Sequence, residues 1–177
     1  MRGFFGVGVE GISKEANVGN LVRSAHAFGA SFFFAIAPSV DIQAMKVSDT
    51  SDAFDHLPYY QYENVGKLDL PKGCVLVGVE LVENSVELPS FRHPTRAAYV
   101  LGPEMGSLSP ELMEKCDHIV KIPMKFCVNV GVAGALVMYD RMLSMGRFAE
   151  RPVRAGGNAE KPQAQKPHEH RRKTRKN

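Results

Sequence analysis

Apolar residues fall into two kinds of pattern along this chain: short dense runs, and longer stretches with apolar positions three or four apart. Residues 4–9, 31–37, 74–79, 97–101 and 118–122 are dense runs. They are rich in β-branched and aromatic residues and bounded by glycine, proline or polar clusters, so each predicts a strand. The run 31–37 is apolar on both faces, which places it centrally in a parallel sheet. Residues 56–62 predict a further short strand, whose Tyr59, Tyr60 and Tyr62 suit a sheet edge or stacking on bases. Helical spacing marks 18–28, with Leu21, Val22, Ala25 and Phe28 turned inward. Asn17 is its candidate N-cap and Gly29 its C-terminal stop. A second helix starts at Ser109-Pro110 and ends near Cys116. The last covers 130–147, with Ala133, Leu136, Val137, Met142 and Leu143 available to bury. Residues 41–54 are polar and mixed, one short helix at most and a candidate insertion. Residues 71–73 are a turn, 80–85 a loop and 88–94 irregular.

Strands alternating with helices predict a parallel α/β sheet. A ligand then belongs outside the strand C-termini, where the loops after Val79, Leu101 and Ile122 converge. Near one of these, Pro123 ends an apolar strand because it has no N–H for a ladder. A short loop with Cys127 and Asn129 follows, and then the last helix begins. Such a strand, loop and helix start is a ready ligand site.

Composition changes the picture mainly at the C-terminus. At 177 residues, 44% hydrophobic and 23% charged, the chain suits one globular domain. Residues 151–177 carry nine Lys and Arg against two Glu, a net +7, whereas residues 1–150 carry 13 against 17, a net −4. The tail alone makes the protein basic and has few apolar residues, so it is expected to be disordered and to meet RNA. The expected organisation is one folded domain over 1–150 and a basic tail over 151–177. Three cysteines, Cys74, Cys116 and Cys127, without CxxC spacing, argue against disulfides or a zinc site and suit a cytoplasmic protein. No apolar run reaches the roughly 18 residues that span a membrane.

Gly6, Gly8 and Gly11 match G-x-G-x-x-G, which raises a nicotinamide-dependent oxidoreductase. That fingerprint needs its glycines between a strand and a helix, with an acidic residue about 20 positions on. Here they lie within the strand, and 31–35 has no acid. Small residues that let strands pack closely are the simpler reading.

Three turns carry a more specific pattern. Asn17, Gly19 and Arg23 form Asn-x-Gly-x-x-x-Arg. Gly102 and Glu104 begin a Gly-x-Glu turn, with Gly106 and Leu108 close behind. Ile122-Pro123-Met124 is followed by Asn129, Val130 and Ala133. In this order they resemble the three motifs of the SpoU/TrmH family of RNA ribose 2′-O-methyltransferases, over residues 4 to 148. The second motif departs by one position at Gly106. In the third, Cys127-Val128 stands where the family has Ser-Leu.

The resemblance implies a parallel-sheet α/β/α SPOUT fold with a C-terminal trefoil knot, S-adenosylmethionine as cofactor, tRNA or rRNA as substrate, and a homodimer. It assigns catalytic roles to Arg23, Glu104 and Asn129, and substrate binding to Asn17 and Arg23. Glu80, Leu81, Leu101, Gly102, Ile122, Met124, Cys127, Val128 and Ala133 become the cofactor-binding set. Leu81, Leu101, Ile122, Met124 and Val128 offer apolar walls for adenine. The cofactor brings its own electrophile, so no metal is needed. Arg23 is a poor base because a guanidinium stays protonated, and suits gripping a phosphate better. Asn129 would orient the hydroxyl or Arg23. A thiol at Cys127 is a weaker hydrogen-bonding partner than serine. That departure raises the alternative of an RNA-binding knot protein with weak or no catalysis.

Overall fold

The computed structural model describes residues 3–42, 54–148, 151, 152, 155 and 156. Seven parallel strands form one sheet: β1 Phe4–Glu10, β2 Phe32–Ile36, β3 Tyr59–Tyr62, β4 Val75–Val79, β5 Val86–Glu87, β6 Arg96–Leu101 and β7 His118–Lys121. Their spatial order is β3-β2-β1-β6-β4-β7-β5. Three α-helices are described in full: α1 Glu15–Ala27, α2 Pro110–Lys115 and α3 Val130–Met145. The chain divides into Met1–Gly146, which holds the whole sheet, and Arg147–Asn177. Most of residues 151–177, whose disorder the sequence predicts, lie outside the described residues, as do 43–53 of the expected insertion.

Period-two alternation decides which residues meet which layer. In β2, Phe33 and Ala35 face one core with Val7, Val9, Tyr99 and the apolar stripes of α1 and α3. Phe32, Phe34 and Ile36 face the other, with Ala98, Val100 and Leu112 of α2. Helices therefore cover both faces of an all-parallel sheet, an α/β/α arrangement. Gly6 and Gly8 of β1 lie under the second face. A Cβ at Gly6 would come within 2.2 Å of the Phe32 ring, and one at Gly8 within 2.3 Å of the Phe34 ring. The two glycines make room for phenylalanines of the neighbouring strand, and they sit mid-strand, away from any helix start. The dinucleotide reading therefore fails.

Three sequence expectations need correction. Helix α1 starts at Glu15, after an extended Lys14, so Asn17 lies inside its first turn and is not the N-cap. The amides of Ser13 and Lys14, just before the helix, find an acceptor elsewhere in the chain, described below. On α3, Leu136 and Met142 are 38% and 37% exposed. The buried stripe is Val130, Gly131, Gly134, Val137, Met138 and Arg141. Arg141 is buried because its guanidinium donates to the carbonyls of Pro94 and Thr95 and to the Tyr99 hydroxyl. Residues 88–94 are irregular only from 91 on: Leu88–Ser90 form a 3₁₀ turn directly after β5.

Gly29 does end α1, at φ 77°. Ala30 N–H donates to Ala25 O and Gly29 N–H to His26 O, the paired bonds of a Schellman motif. Helices α1 and α3 approach closely where Gly134 faces Leu21, and a Cβ there would fall 2.2 Å from Leu21 Cδ1. That approach brings the start of α1 beside the start of α3.

Candidate functional site

A cavity of about 530 Å³ opens beyond the C-terminal ends of β4, β6 and β7. Val79, Glu80 and Leu81 line it from the first loop, and Leu101, Gly102, Pro103, Glu104 and Gly106 from the second. Ile122, Met124, Cys127, Val128 and Asn129 line it from the third, and Val130 and Ala133 from the start of α3. The structure thus brings together every residue of the expected cofactor set. Lys14 and Asn17 of the α1 start complete the wall. Gly102 presents bare backbone, because a Cβ there would lie 3.1 Å from Leu108 N and 3.3 Å from Ser107 C.

Glu104 ties the walls together. Its Oε2 accepts from the Ser13 N–H at 3.1 Å and the Ser13 hydroxyl at 2.9 Å. Its Oε1 accepts from the Lys14 N–H at 3.0 Å and from Asn17 Nδ2 at 2.9 Å. This carboxylate lies at the start of α1, bonded to the two residues just before the helix, where negative charge is favoured. A carboxylate only accepts, so Asn17 must turn its Nδ2 toward Glu104. That leaves Asn17 Oδ1 to accept from Asn129 Nδ2 at 2.8 Å. Asn129 Oδ1 in turn accepts from the Gly131 N–H at 2.9 Å, capping α3. One directed relay, Glu104 to Asn17 to Asn129, joins residues from all three motifs and fixes both amide orientations.

Partial burial pushes the Glu104 carboxyl up. Hydrogen bonds from Asn17, from its own backbone and from Ser13 outweigh that and hold it down, to about 2. A carboxylate so occupied is a poor proton acceptor. Its hydrogen bonds fix the Ser13 and Lys14 backbone and the Asn17 side chain.

Two further carboxylates set the second loop. Glu80 Oε2 accepts from the Leu108 N–H at 2.8 Å and its Oε1 from the Leu81 N–H at 2.8 Å. Glu10 at the end of β1 accepts from the Ser109 N–H at 2.7 Å and the Ser109 hydroxyl at 2.6 Å. Glu80 thus shapes the cavity wall through backbone bonds. Sequence reasoning missed Glu10, Ser13 and Lys14. The only local signal was the Ser-Lys-Glu run just before the first apolar residue of α1.

Arg23 is exposed and does not line this cavity. It borders a neighbouring groove with Asn20, Phe28, Val132, Leu136 and Tyr139, and Asn129 belongs to both. Cys127 is a free, exposed thiol, and Cys74 and Cys116 are free as well. Burial pushes Cys74 up to about 11 and Cys116 up to about 12, so neither is a nucleophile at neutral pH. Among the described residues no group of three or more His, Cys, Asp or Glu could hold a metal ion. No described helix is long and apolar enough to cross a membrane.

Fold and site define an α/β protein with a ligand cavity built from three motif-bearing loops. The profile of the SpoU rRNA Methylase family matches residues 5–139, and the chain belongs to that family. A Staphylococcus aureus (strain COL) protein assigned to the TrmH family of tRNA/rRNA methyltransferases is 29% identical over 141 residues. That match covers 75% of this chain and 56% of the relative, so the chain spans about half the length of that relative. The mouse tRNA (guanosine(18)-2'-O)-methyltransferase TARBP1 is 27% identical over 139 residues, 73% of this chain and 9% of that protein. The SpoU methyltransferase AviRb from Streptomyces viridochromogenes, solved with AdoMet, has a TM-score of 0.70 at 23% identity, covering 82% of this chain and 63% of that one. An AdoMet-bound rRNA methyltransferase from Sinorhizobium meliloti has a TM-score of 0.72 at 19% identity, covering 83% and 59%.

Proposed function

We propose that this chain transfers a methyl group from S-adenosylmethionine to a ribose 2′-hydroxyl of tRNA or rRNA. The relay from Glu104 through Asn17 to Asn129 carries the reading, because it assembles all three motifs at the rim of one cavity. Family membership supports the reaction class, the names of the Staphylococcus and mouse relatives support an RNA acceptor, and the AdoMet-bound neighbours support the cofactor. The cavity fits that cofactor: its volume is in the range of small-molecule sites, about 300–1,000 Å³. Leu81, Leu101, Ile122, Met124 and Val128 offer apolar surface to adenine. Gly102 offers bare backbone, and Glu80, Cys127 and Ala133 complete the cofactor-binding set.

When bound, the cofactor supplies an electrophilic methyl on a sulfonium. The chain's residues then have to place the acceptor oxygen and let its proton leave. Asn129 has one Nδ2 hydrogen left after its bond to Asn17, and offers it to the ribose. Asn17 fixes Asn129 in turn. Arg23 grips a phosphate with its planar fork. The phosphate or a water takes the proton, since Arg23 stays charged and Glu104 is committed.

The same reading makes the protein a cytoplasmic homodimer with the family's trefoil knot. Val132, Leu136, Tyr139 and Met145 on α3 are 50%, 38%, 47% and 40% exposed. Together with Phe28 they form an apolar face that suits a second copy. Arg23 borders this face, so pairing there would carry it toward the other copy's cavity. Sedimentation of wild type and Leu136→Asp tests the dimer, and equal monomeric masses would remove it.

Cys127 in the cavity wall favours one rival, an RNA-binding protein with little catalysis. Incubation of tRNA and rRNA with methyl-labelled cofactor separates the two. Label in RNA is the result expected here. RNA retention without label is the rival's.

A further inference from the structure

We infer that Phe126 is the stacking platform for the nucleobase of the target nucleotide, with Met105 as a second apolar contact. The inference rests on the RNA methyl-transfer reading above. Phe126 is 78% exposed and Met105 91% exposed. Each sits in a loop that lines the cavity. Glu104 and Gly106 flank Met105, and Lys125 and Cys127 flank Phe126. All of these flanking residues except Lys125 face the cavity, whereas Phe126 and Met105 do not line it. Single exposed apolar residues are ordinary on protein surfaces. These two are set apart by their place, on the loops around the site's mouth.

The chemistry of the acceptor explains why such a surface is needed there. A ribose hydroxyl in a stacked strand is hemmed in by its neighbours and cannot enter a cavity below loop level. The nucleotide has to leave its stack, and its base then loses both stacking partners. An aromatic face replaces them without reading sequence. Phe126 supplies that face. Exposed Lys125 is adjacent in sequence, and exposed Lys14 lines the cavity. A cation on the cavity wall and another next to Phe126 in the chain suit the phosphates on either side of an extruded nucleotide. A second copy of the chain is the other candidate occupant. The surface that suits a copy, however, is the α3 face with Val132, Leu136 and Tyr139, which borders the separate groove.

The chain has no tryptophan, so Phe126→Trp installs a single reporter. Unfractionated tRNA and ribosomal RNA, added with S-adenosylhomocysteine, should quench its fluorescence. The control Val86→Trp, exposed on edge strand β5, should not respond. Phe126→Ala should raise the KM for RNA about 5- to 150-fold, the span expected for one lost base stack. Its affinity for S-adenosylhomocysteine should stay within twofold, its sedimenting mass should not change, and Phe126→Tyr should recover most of the KM. An unquenched reporter, an unchanged KM in Phe126→Ala, or a halved mass in that variant would overturn the inference. The quench is read without turnover. It decides this inference even if the wild type transfers no methyl, an outcome that counts against the functional reading alone.

Discussion

At the residue scale, Glu104 holds three elements of the candidate site together. It accepts four hydrogen bonds from Ser13, Lys14 and Asn17 and keeps its charge down to about pH 2. A carboxyl depressed in the folded state contributes stability above its unfolded value, near 4.5, and that contribution is lost as pH falls toward 2. Wild type should therefore lose stability between about pH 4.5 and 2, in part through this group. Glu104→Gln turns one acceptor into a donor facing other donors. It should cost about 1–3 kcal/mol at neutral pH and remove that part of the acid slope. Chemical denaturation across pH reads both effects, and an unchanged slope would free Glu104 from the relay. Cys127→Ser should keep or raise turnover in a methyl-transfer assay, because serine has nearly the same volume and a stronger hydrogen-bonding group. Loss of activity in that variant would give the thiol a specific role.

Glycines at the element scale separate packing from substrate space. Gly8→Ala drives a methyl into the buried Phe34 ring, and should destabilise by about 1–3 kcal/mol. Gly19 is different: among the described residues nothing lies within 4 Å of a Cβ built there, and it sits inside α1. Gly19→Ala should stabilise by about 0.5–1 kcal/mol through helix propensity alone. If turnover nevertheless falls, the open space belongs to RNA. Thermal melts beside KM for RNA check the pair.

The strands were legible in the sequence because period-two runs and glycine or proline boundaries are local signals. The cavity lining was legible because strand ends in a parallel sheet converge in a known place, and motif residues mark them. The start of α1 was not, because the acceptor for the Lys14 N–H lies 90 residues away in Glu104. The buried face of α3 was misread for the same kind of reason. Arg141 is buried only because the carbonyls of Pro94 and Thr95, on a distant loop, meet its guanidinium. Arg23 fitted its motif by spacing, yet spacing could not show that it borders a second groove.

At the scale of the whole molecule, charge is divided between a net −4 over residues 1–150 and +7 over 151–177. A polyanionic substrate is repelled by the first at long range and attracted by the second. Truncation after Glu150 should leave cofactor affinity unchanged, weaken RNA binding and flatten its salt dependence. Binding measured across a salt series checks this, and identical slopes for the two proteins would show that the tail is no RNA arm.

The central claim is that methyl is placed on a ribose 2′-oxygen at the site where the three motifs meet. Alkali cleaves RNA by attack of that oxygen on its neighbouring phosphate, so methylation there leaves an alkali-stable dinucleotide. The most direct measurement is alkaline hydrolysis of tRNA and rRNA after incubation with the protein and methyl-labelled S-adenosylmethionine. Label in alkali-stable dinucleotides is predicted for wild type, falling about a hundredfold or more in Arg23→Ala and Asn129→Ala. Label recovered in mononucleotides would place the methyl on a base. No label from either RNA, with the cofactor bound, would contradict the account.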